Sequence, residues 1–106
     1  MLTQADREIA REFQRRLEVA VPVLDLRVFG SRARGEATFG SDMDVFIEVE
    51  EVTPALRRQI EDIAWEVGFD LDCVITTIVA TRDQVKHGPL GASPLVLNIE
   101  REGVRP

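Results

Sequence analysis

The spacing of apolar residues changes along the chain, and each spacing is typical of one kind of element. Near the start, apolar side chains recur every three or four residues, as on one face of a helix. These positions are Ile9, Phe13, Leu17 and Ala20. Thr3 and Asp6 have the spacing of a capping box, and Pro22 is a stop signal for a helix. We therefore predict a first amphipathic helix, with Asp6 among the charged side chains that face solvent.

Two apolar runs with a period of two follow, and they predict neighbouring strands. Residues 24–29 form the first run, which ends at Gly30, and residues 42–50 form the second. One face of the second strand would carry Met43, Val45, Ile47 and Val49, and the other Asp42, Asp44, Phe46 and Glu48. Between the strands we predict a short helical turn over residues 31–35 and a loop over residues 36–41. Asp42 and Asp44 are thus expected on one face.

The second half of the chain begins with a helix signal, the Thr-Pro pair at 53–54, and Gly68 suits the end of that helix. Residues 69–78 then alternate and predict a third strand, with Asp70 and Asp72 on its polar face. This strand would supply the first two with another carboxylate.

Two shorter helices are predicted after the third strand. Thr81 and Gln84 have capping-box spacing, which predicts a short helix that stops by Gly88. The Ser-Pro pair at 93–94 begins a last helix that runs to about Arg101. The order of elements predicts one α/β (α+β) domain over residues 1–106, a small mixed β-sheet with helices packed on one face. The carboxylates would gather on the other, partly open face.

Composition and charge narrow the class of protein. With 106 residues, 44% of them hydrophobic, the chain has the composition of an ordinary globular domain. Its net charge of −6 disfavours long nucleic acid as a substrate, because such binding depends on clustered Lys and Arg. No apolar run is long enough to span a bilayer. The single cysteine, Cys73, is expected to be buried and inert, and a cytoplasmic location is the expectation.

Four residues carry the candidate chemistry. Asp42 and Asp44 lie two positions apart, about 6.5 to 7 Å along a strand, where a divalent cation such as Mg²⁺ would relieve their repulsion. Gly30 lets backbone approach a ligand closely, and Ser31 offers a hydroxyl group to a phosphate. A phosphate-binding segment that faces a metal site is typical of proteins that bind nucleotides.

This pattern resembles the DNA polymerase beta-type nucleotidyltransferase superfamily. The shared features are Gly30-Ser31, ten intervening residues with the interior Arg32-Ala33-Arg34-Gly35 and Ser41, and then Asp42-Met43-Asp44. Together with the closing residues 93–104, which contain Asn-Ile-Glu-Arg-Glu-Gly-Val, they resemble a minimal nucleotidyltransferase of the kind that is paired with a HEPN-domain protein. The likeness extends over nearly the whole chain.

The resemblance implies an activity and a set of roles. The chain would transfer AMP from ATP to a hydroxyl of a HEPN-type toxin and act as its antitoxin. Two Mg²⁺ ions would be held by Asp42, Asp44 and a third acidic residue on a later strand. Asp72 is the better match for that residue, and Asp70 is the alternative.

The sequence leaves the roles of two arginines undecided, and it allows two other functions. Arg32 and Arg34 are candidate phosphate ligands, although either could instead be solvated or paired with a neighbour such as Glu36. A binding module that neutralises its partner without turnover is one competing function, and a misplaced third carboxylate would support it. Transfer to a small-molecule acceptor is another. Oligomerisation is also possible, and Trp65 is expected in the core or at an interface.

Overall fold

The computed structural model describes residues 1–38 and 40–106. Their elements, in chain order, are α1 (Gln4–Ala20), β1 (Val23–Phe29), α2 (Gly30–Arg34), β2 (Met43–Val49), α3 (Pro54–Leu71), β3 (Ile75–Thr81), α4 (Arg82–His87) and α5 (Pro94–Glu102). A short 3₁₀ turn, Pro89–Ala92, separates the last two helices. The small mixed α/β fold is therefore confirmed.

The sheet has the order β1-β2-β3, with β2 in the middle. β1 and β2 pair antiparallel, whereas β2 and β3 pair parallel. A parallel pair needs a crossover connection, and α3 provides it. This topology places the start of β2 between the end of β1 and the start of β3.

The main core lies between one face of the sheet and the helices α1 and α3. The expected alternation along β2 is confirmed, since Met43, Val45, Ile47 and Val49 all belong to this core. On the opposite face, Phe46 packs with Ile99 of α5 and, at the margin, with Val85 of α4. These contacts cover only part of that face. Its uncovered end carries Asp44, the first polar side chain of β2 on that face.

Local capping signals predicted several helix ends correctly. Thr3 and Asp6 form the expected capping box at α1, and Thr81 and Gln84 form another at α4. The Ser93 side chain accepts a hydrogen bond from the Val96 N–H at the start of α5. These contacts involve residues three apart, so the sequence alone contains both partners.

The prediction of a third strand over residues 69–78 was wrong at its start. α3 continues to Leu71, and Asp72 ends it in the left-handed conformation with φ of 54°. Gly68 is needed for a different reason, because a Cβ there would lie 2.3 Å from the Cys73 carbonyl oxygen as the chain turns back. β3 begins only at Ile75, so neither Asp70 nor Asp72 lies on a strand.

Burial corrects the expectations for two carboxylates, excludes one of the two alternatives for Trp65 and confirms the expectation for Cys73. Asp6, expected in solvent, and Glu48, expected on the partly open face of the sheet, are both buried and paired with arginines. Trp65, expected in the core or at an interface, is exposed, which excludes the core and leaves the interface. Cys73 is buried as expected, and burial raises the pKa of its thiol. Among the described residues, no helix combines the length and the apolar character needed to cross a membrane.

Candidate active site

Asp44 lies at the meeting point of all three strands. In the register of the sheet it is opposite Phe29 on β1 and opposite Thr76 on β3. The Thr76 hydroxyl group donates a hydrogen bond of 2.5 Å to Asp44 Oδ1. Thr76 was not among the predicted site residues, although a polar residue on the outward face of an apolar strand was a visible signal.

Gly30 closes the other side of the Asp44 carboxylate. It follows Phe29, begins α2 and has a φ of +77°, a conformation that L side chains rarely adopt. A Cβ on Gly30 would lie 2.3 Å from Asp44 Oδ2, closer than two such atoms can approach. The structure therefore brings Gly30 and Asp44 together, as the pattern of residues predicted, and a side chain at position 30 would displace the Asp44 carboxylate or the start of α2.

Asp44 differs from the other sheltered carboxylates in its partners. Within the described part of the chain, six acidic side chains are buried or half-buried: Asp6, Glu12, Asp25, Asp44, Glu48 and Glu102. Every one of them except Asp44 forms an ion pair with at least one arginine. A half-buried carboxylate without a cation is unfavourable, and its oxygens are ligands that Mg²⁺ prefers. Asp44 therefore suits a bound divalent cation.

Asp42 is exposed and lies one residue before β2. A tight turn leads into it, in which the Thr38 N–H donates to Ser41 Oγ at 3.0 Å and the Ser41 N–H donates to the Thr38 carbonyl at 3.0 Å. Arg32 Nε donates to the Ser41 carbonyl, also at 3.0 Å. The residue before Asp42 is thus fixed by both backbone and side-chain contacts.

Arg32 is engaged within the protein. Besides Ser41, its guanidinium group contacts Asp6 Oδ1 at 2.5 Å, and the two side chains are only 14% and 7% exposed. Burial by itself raises the pKa of Asp6, but hydrogen bonds from Arg32 and Thr3 outweigh it and hold the pKa below its ordinary value of 3.8. In this arrangement Arg32 connects α1, α2 and the approach to Asp42.

Arg34 is also paired, and one of its partners is Glu36, the neighbour that the sequence offered as the alternative to a phosphate. Its Nε donates to Glu36 at 3.1 Å and its Nη1 to Glu102 at 3.2 Å. The Glu36 hydrogen bond is the main reason that the pKa of Arg34 is raised. A phosphate-binding role for either arginine would require these contacts to be exchanged.

Asp70 and Asp72 do not join Asp42 and Asp44 at the sheet. Asp70 pairs with Arg16 of α1 at 2.9 Å, and Asp72 caps α3. Among residues 1–38 and 40–106, no three His, Cys, Asp or Glu side chains come close enough together to hold a metal ion. Of the predicted acidic ligands, Asp44 lies on β2 and Asp42 one residue before it, whereas Asp70 lies on α3 and Asp72 at its end.

The buried pair of Asp6 and Arg32 gives a stability prediction. We expect Asp6→Asn to lower the free energy of unfolding by about 3 kcal/mol at pH 7, because it leaves the Arg32 charge buried without its partner. The folded pKa of Asp6 lies below the unfolded one, so its stabilisation is complete above the unfolded pKa and is lost as the pH falls through the folded pKa. The difference between the proteins should therefore shrink below about pH 4.

Urea unfolding at pH 7 and at pH 3 measures this effect. Asp62→Asn, which alters an exposed carboxylate on α3, is the control and should change little at either pH. If both variants lost the same free energy of unfolding at pH 7, the ion pair of Asp6 with Arg32 would contribute no more to stability than an exposed carboxylate does.

Comparison with known proteins gives the family and the fold of this chain. Residues 6–96 match the model of the family described as nucleotidyltransferase domain. A crystal structure from Sulfolobus solfataricus, described as a candidate nucleotidyltransferase, has a similar fold, with a TM-score of 0.51 and 23% identity over 73% of this chain and 68% of that chain. No curated protein matches significantly. Since the family model covers most of its length, the chain belongs to the nucleotidyltransferase domain family.

Proposed function

We propose that this protein transfers a nucleoside monophosphate, AMP from ATP, to a hydroxyl group of a partner protein. The observation that supports it most is the half-buried carboxylate of Asp44, which lies against Gly30 at the start of β2 and pairs with no arginine in the described part of the chain. Membership of the nucleotidyltransferase domain family supports the reaction class.

The proposed roles follow from where the side chains lie. Asp42 and Asp44 would hold Mg²⁺, which when bound neutralises charge that develops on phosphate oxygens. Thr76 fixes the orientation of the Asp44 carboxylate through its hydrogen bond to Oδ1. Gly30 allows the backbone at the start of α2 to lie directly beside Asp44, and Ser31 would offer its hydroxyl group to the phosphates. The acceptor hydroxyl oxygen would attack the α-phosphorus and release its proton to water, and the bond from that phosphorus to pyrophosphate would break.

The proposed acceptor is a HEPN-domain toxin, for which this chain would act as antitoxin. The support is the resemblance of the Gly30-Ser31 and Asp42-Met43-Asp44 pattern, together with the closing segment, to minimal nucleotidyltransferases. Co-expression with the HEPN protein of a neighbouring gene tests this proposal, with the intact mass of the partner as the readout. We expect the partner to gain the mass of AMP with the wild-type chain and to stay unmodified with Asp44→Asn.

A binding module without turnover is the second candidate function, and one observation favours it. The expected third carboxylate, Asp72, caps α3 and does not lie on β3, where the resemblance places it. In the same co-expression experiment, a stable complex whose partner has an unchanged mass would support this function and contradict transfer.

Thr76 gives a test of the cation site that does not depend on the acceptor. We expect Thr76→Val to weaken Mg²⁺ binding about tenfold, because it removes the hydroxyl group that orients Asp44. Thr76→Ser keeps that group and should bind like the wild type. Calorimetric titration with Mg²⁺ and a non-hydrolysable ATP analogue gives the affinities, and equal values for the valine and serine variants would contradict the role of Thr76.

A further inference from the structure

The outer face of α3 carries two large aromatic side chains in solvent. Trp65 and Phe69 are 70% and 75% exposed, and their rings stack with centroids 5.5 Å apart and planes 15° apart. They lie one helical turn apart, so they form one continuous apolar area, which we call the α3 aromatic surface. Apolar areas of this kind on a protein surface mark places where other molecules bind.

A groove continues from the α3 aromatic surface across the segment of the chain that follows α3. It has a volume of about 670 Å³ and passes beside Gly68, Val74 and Ile75 before it reaches Ser41. Val74 is exposed, and β3, which begins at Ile75, is an edge strand of the described sheet. The groove therefore extends from the aromatic pair to the residue that precedes Asp42, and it has the size of a binding site rather than of a packing defect.

Carboxylates surround the aromatic pair. Glu61, Asp62, Glu66 and Asp72 are all exposed and lie within about one helical turn of Trp65 or Phe69. The nearest cations on the same helix, Arg57 and Arg58, lie about two turns before Trp65, toward the start of α3. Two arginines of other elements lie closer, but each already has a carboxylate partner: Arg16 pairs with Asp70, and Arg32, which lines the groove, pairs with Asp6. The surface is thus apolar at its centre and negative at its edge.

We propose that the α3 aromatic surface and its groove bind a basic amphipathic segment of a partner protein. Apolar side chains of that segment would cover Trp65 and Phe69, and its Lys or Arg side chains would face the four carboxylates. An arginine of the partner can also stack on the indole ring of Trp65.

The charge pattern favours such a partner over two other occupants. A second copy of this chain would bring the same surface to itself across a two-fold axis, and the carboxylates around Trp65 would then repel one another. A nucleic acid would bring phosphates to the same negative edge. α3 packs on the opposite face of the sheet from Asp44, so binding at its outer surface can be measured without a nucleotide.

Trp65 is the only tryptophan of the chain, so its fluorescence reports directly on this surface. The probe is a leucine–lysine amphipathic peptide of about five helical turns without aromatic residues, compared with the peptide in which glutamate replaces each lysine. We expect the basic peptide to shift the Trp65 emission to shorter wavelength and to bind at least about tenfold more tightly than the acidic peptide. Its affinity should fall as salt is added.

Matched variants separate this surface from general attraction to an acidic protein. Phe69→Ser combined with Glu66→Lys should lower the affinity for the basic peptide about tenfold or more. Leu97→Ser combined with Glu100→Lys makes the same kinds of change at exposed positions on α5, where Leu97 is 52% exposed, and should leave binding unchanged. Sedimentation of the peptide-free chain should show a monomer.

Three results would overturn the proposal. The first is an absent shift, or an equal shift with the acidic peptide. The second is equal weakening by the two double variants. The third is a dimer in sedimentation that Phe69→Ser with Glu66→Lys disrupts, which would assign the surface to a second copy.

Discussion

Asp44→Asn should lower nucleotidyl transfer by at least about 100-fold while the protein stays folded. Loss of a group that only orients a metal ligand costs about 10- to 100-fold, so loss of a ligand charge should cost no less than the upper value. The fold should survive, because asparagine has the same shape and can still accept the hydrogen bond from Thr76. Since Asp44 pairs with no arginine among residues 1–38 and 40–106, removing its charge leaves no buried cation behind.

Initial rates of transfer and Mg²⁺ affinity, measured on the same preparation, test this prediction. Glu50→Gln is the matched control, since it neutralises an exposed carboxylate just after β2. We expect the control to keep wild-type rates and affinity. An Asp44→Asn protein that transfers at the rate of the control would remove Asp44 from the site.

Gly30→Ala should have the second large effect, on both transfer and stability. The added Cβ would lie 2.3 Å from Asp44 Oδ2, so the carboxylate or the start of α2 must move. The left-handed conformation of Gly30 adds strain on the order of 1 to 3 kcal/mol for any residue with a side chain. We therefore expect a loss of transfer of about 100-fold or more, because displacement of a reacting group by about 1 Å alone costs that much.

Gly35→Ala separates the contact from the backbone strain. Gly35 has a φ of +75°, nearly that of Gly30, but a Cβ there would lie 3.4 Å or more from its neighbours, an ordinary contact. Thermal unfolding should show similar destabilisation of the two variants, whereas transfer by the folded protein should fall only in Gly30→Ala. Equal loss of transfer in both would mean that the contact with Asp44 is unimportant.

The features that could be predicted from the sequence are those in which the interacting residues are close along the chain. The capping pair of Thr81 and Gln84 and the alternation from Met43 to Val49 are of this kind, and both are confirmed. The contact between Gly30 and Asp44 is longer in range, but the resemblance and the two apolar runs contained enough information to place these residues together.

The errors concern pairings between distant segments. Residues 69–73 alternate between apolar and polar, yet Phe69 is exposed on a helix and the polar Asp72 ends that helix. The register that places Thr76 opposite Asp44 depends on how α3 crosses the sheet, which local spacing does not encode. Arg32 and Asp6 are 26 residues apart, so an ion pair between them could not be told from two solvated charges.

The most direct measurement compares ATP labelled at the α-phosphate with ATP labelled at the γ-phosphate. The purified chain is incubated with Mg²⁺, its HEPN partner and either nucleotide, and the proteins are separated on a gel. Nucleotidyl transfer predicts that the partner becomes labelled from the α-position only, and that this label is absent with Asp44→Asn. Label from the γ-position, or no label from either nucleotide beside a stable complex, would contradict the account.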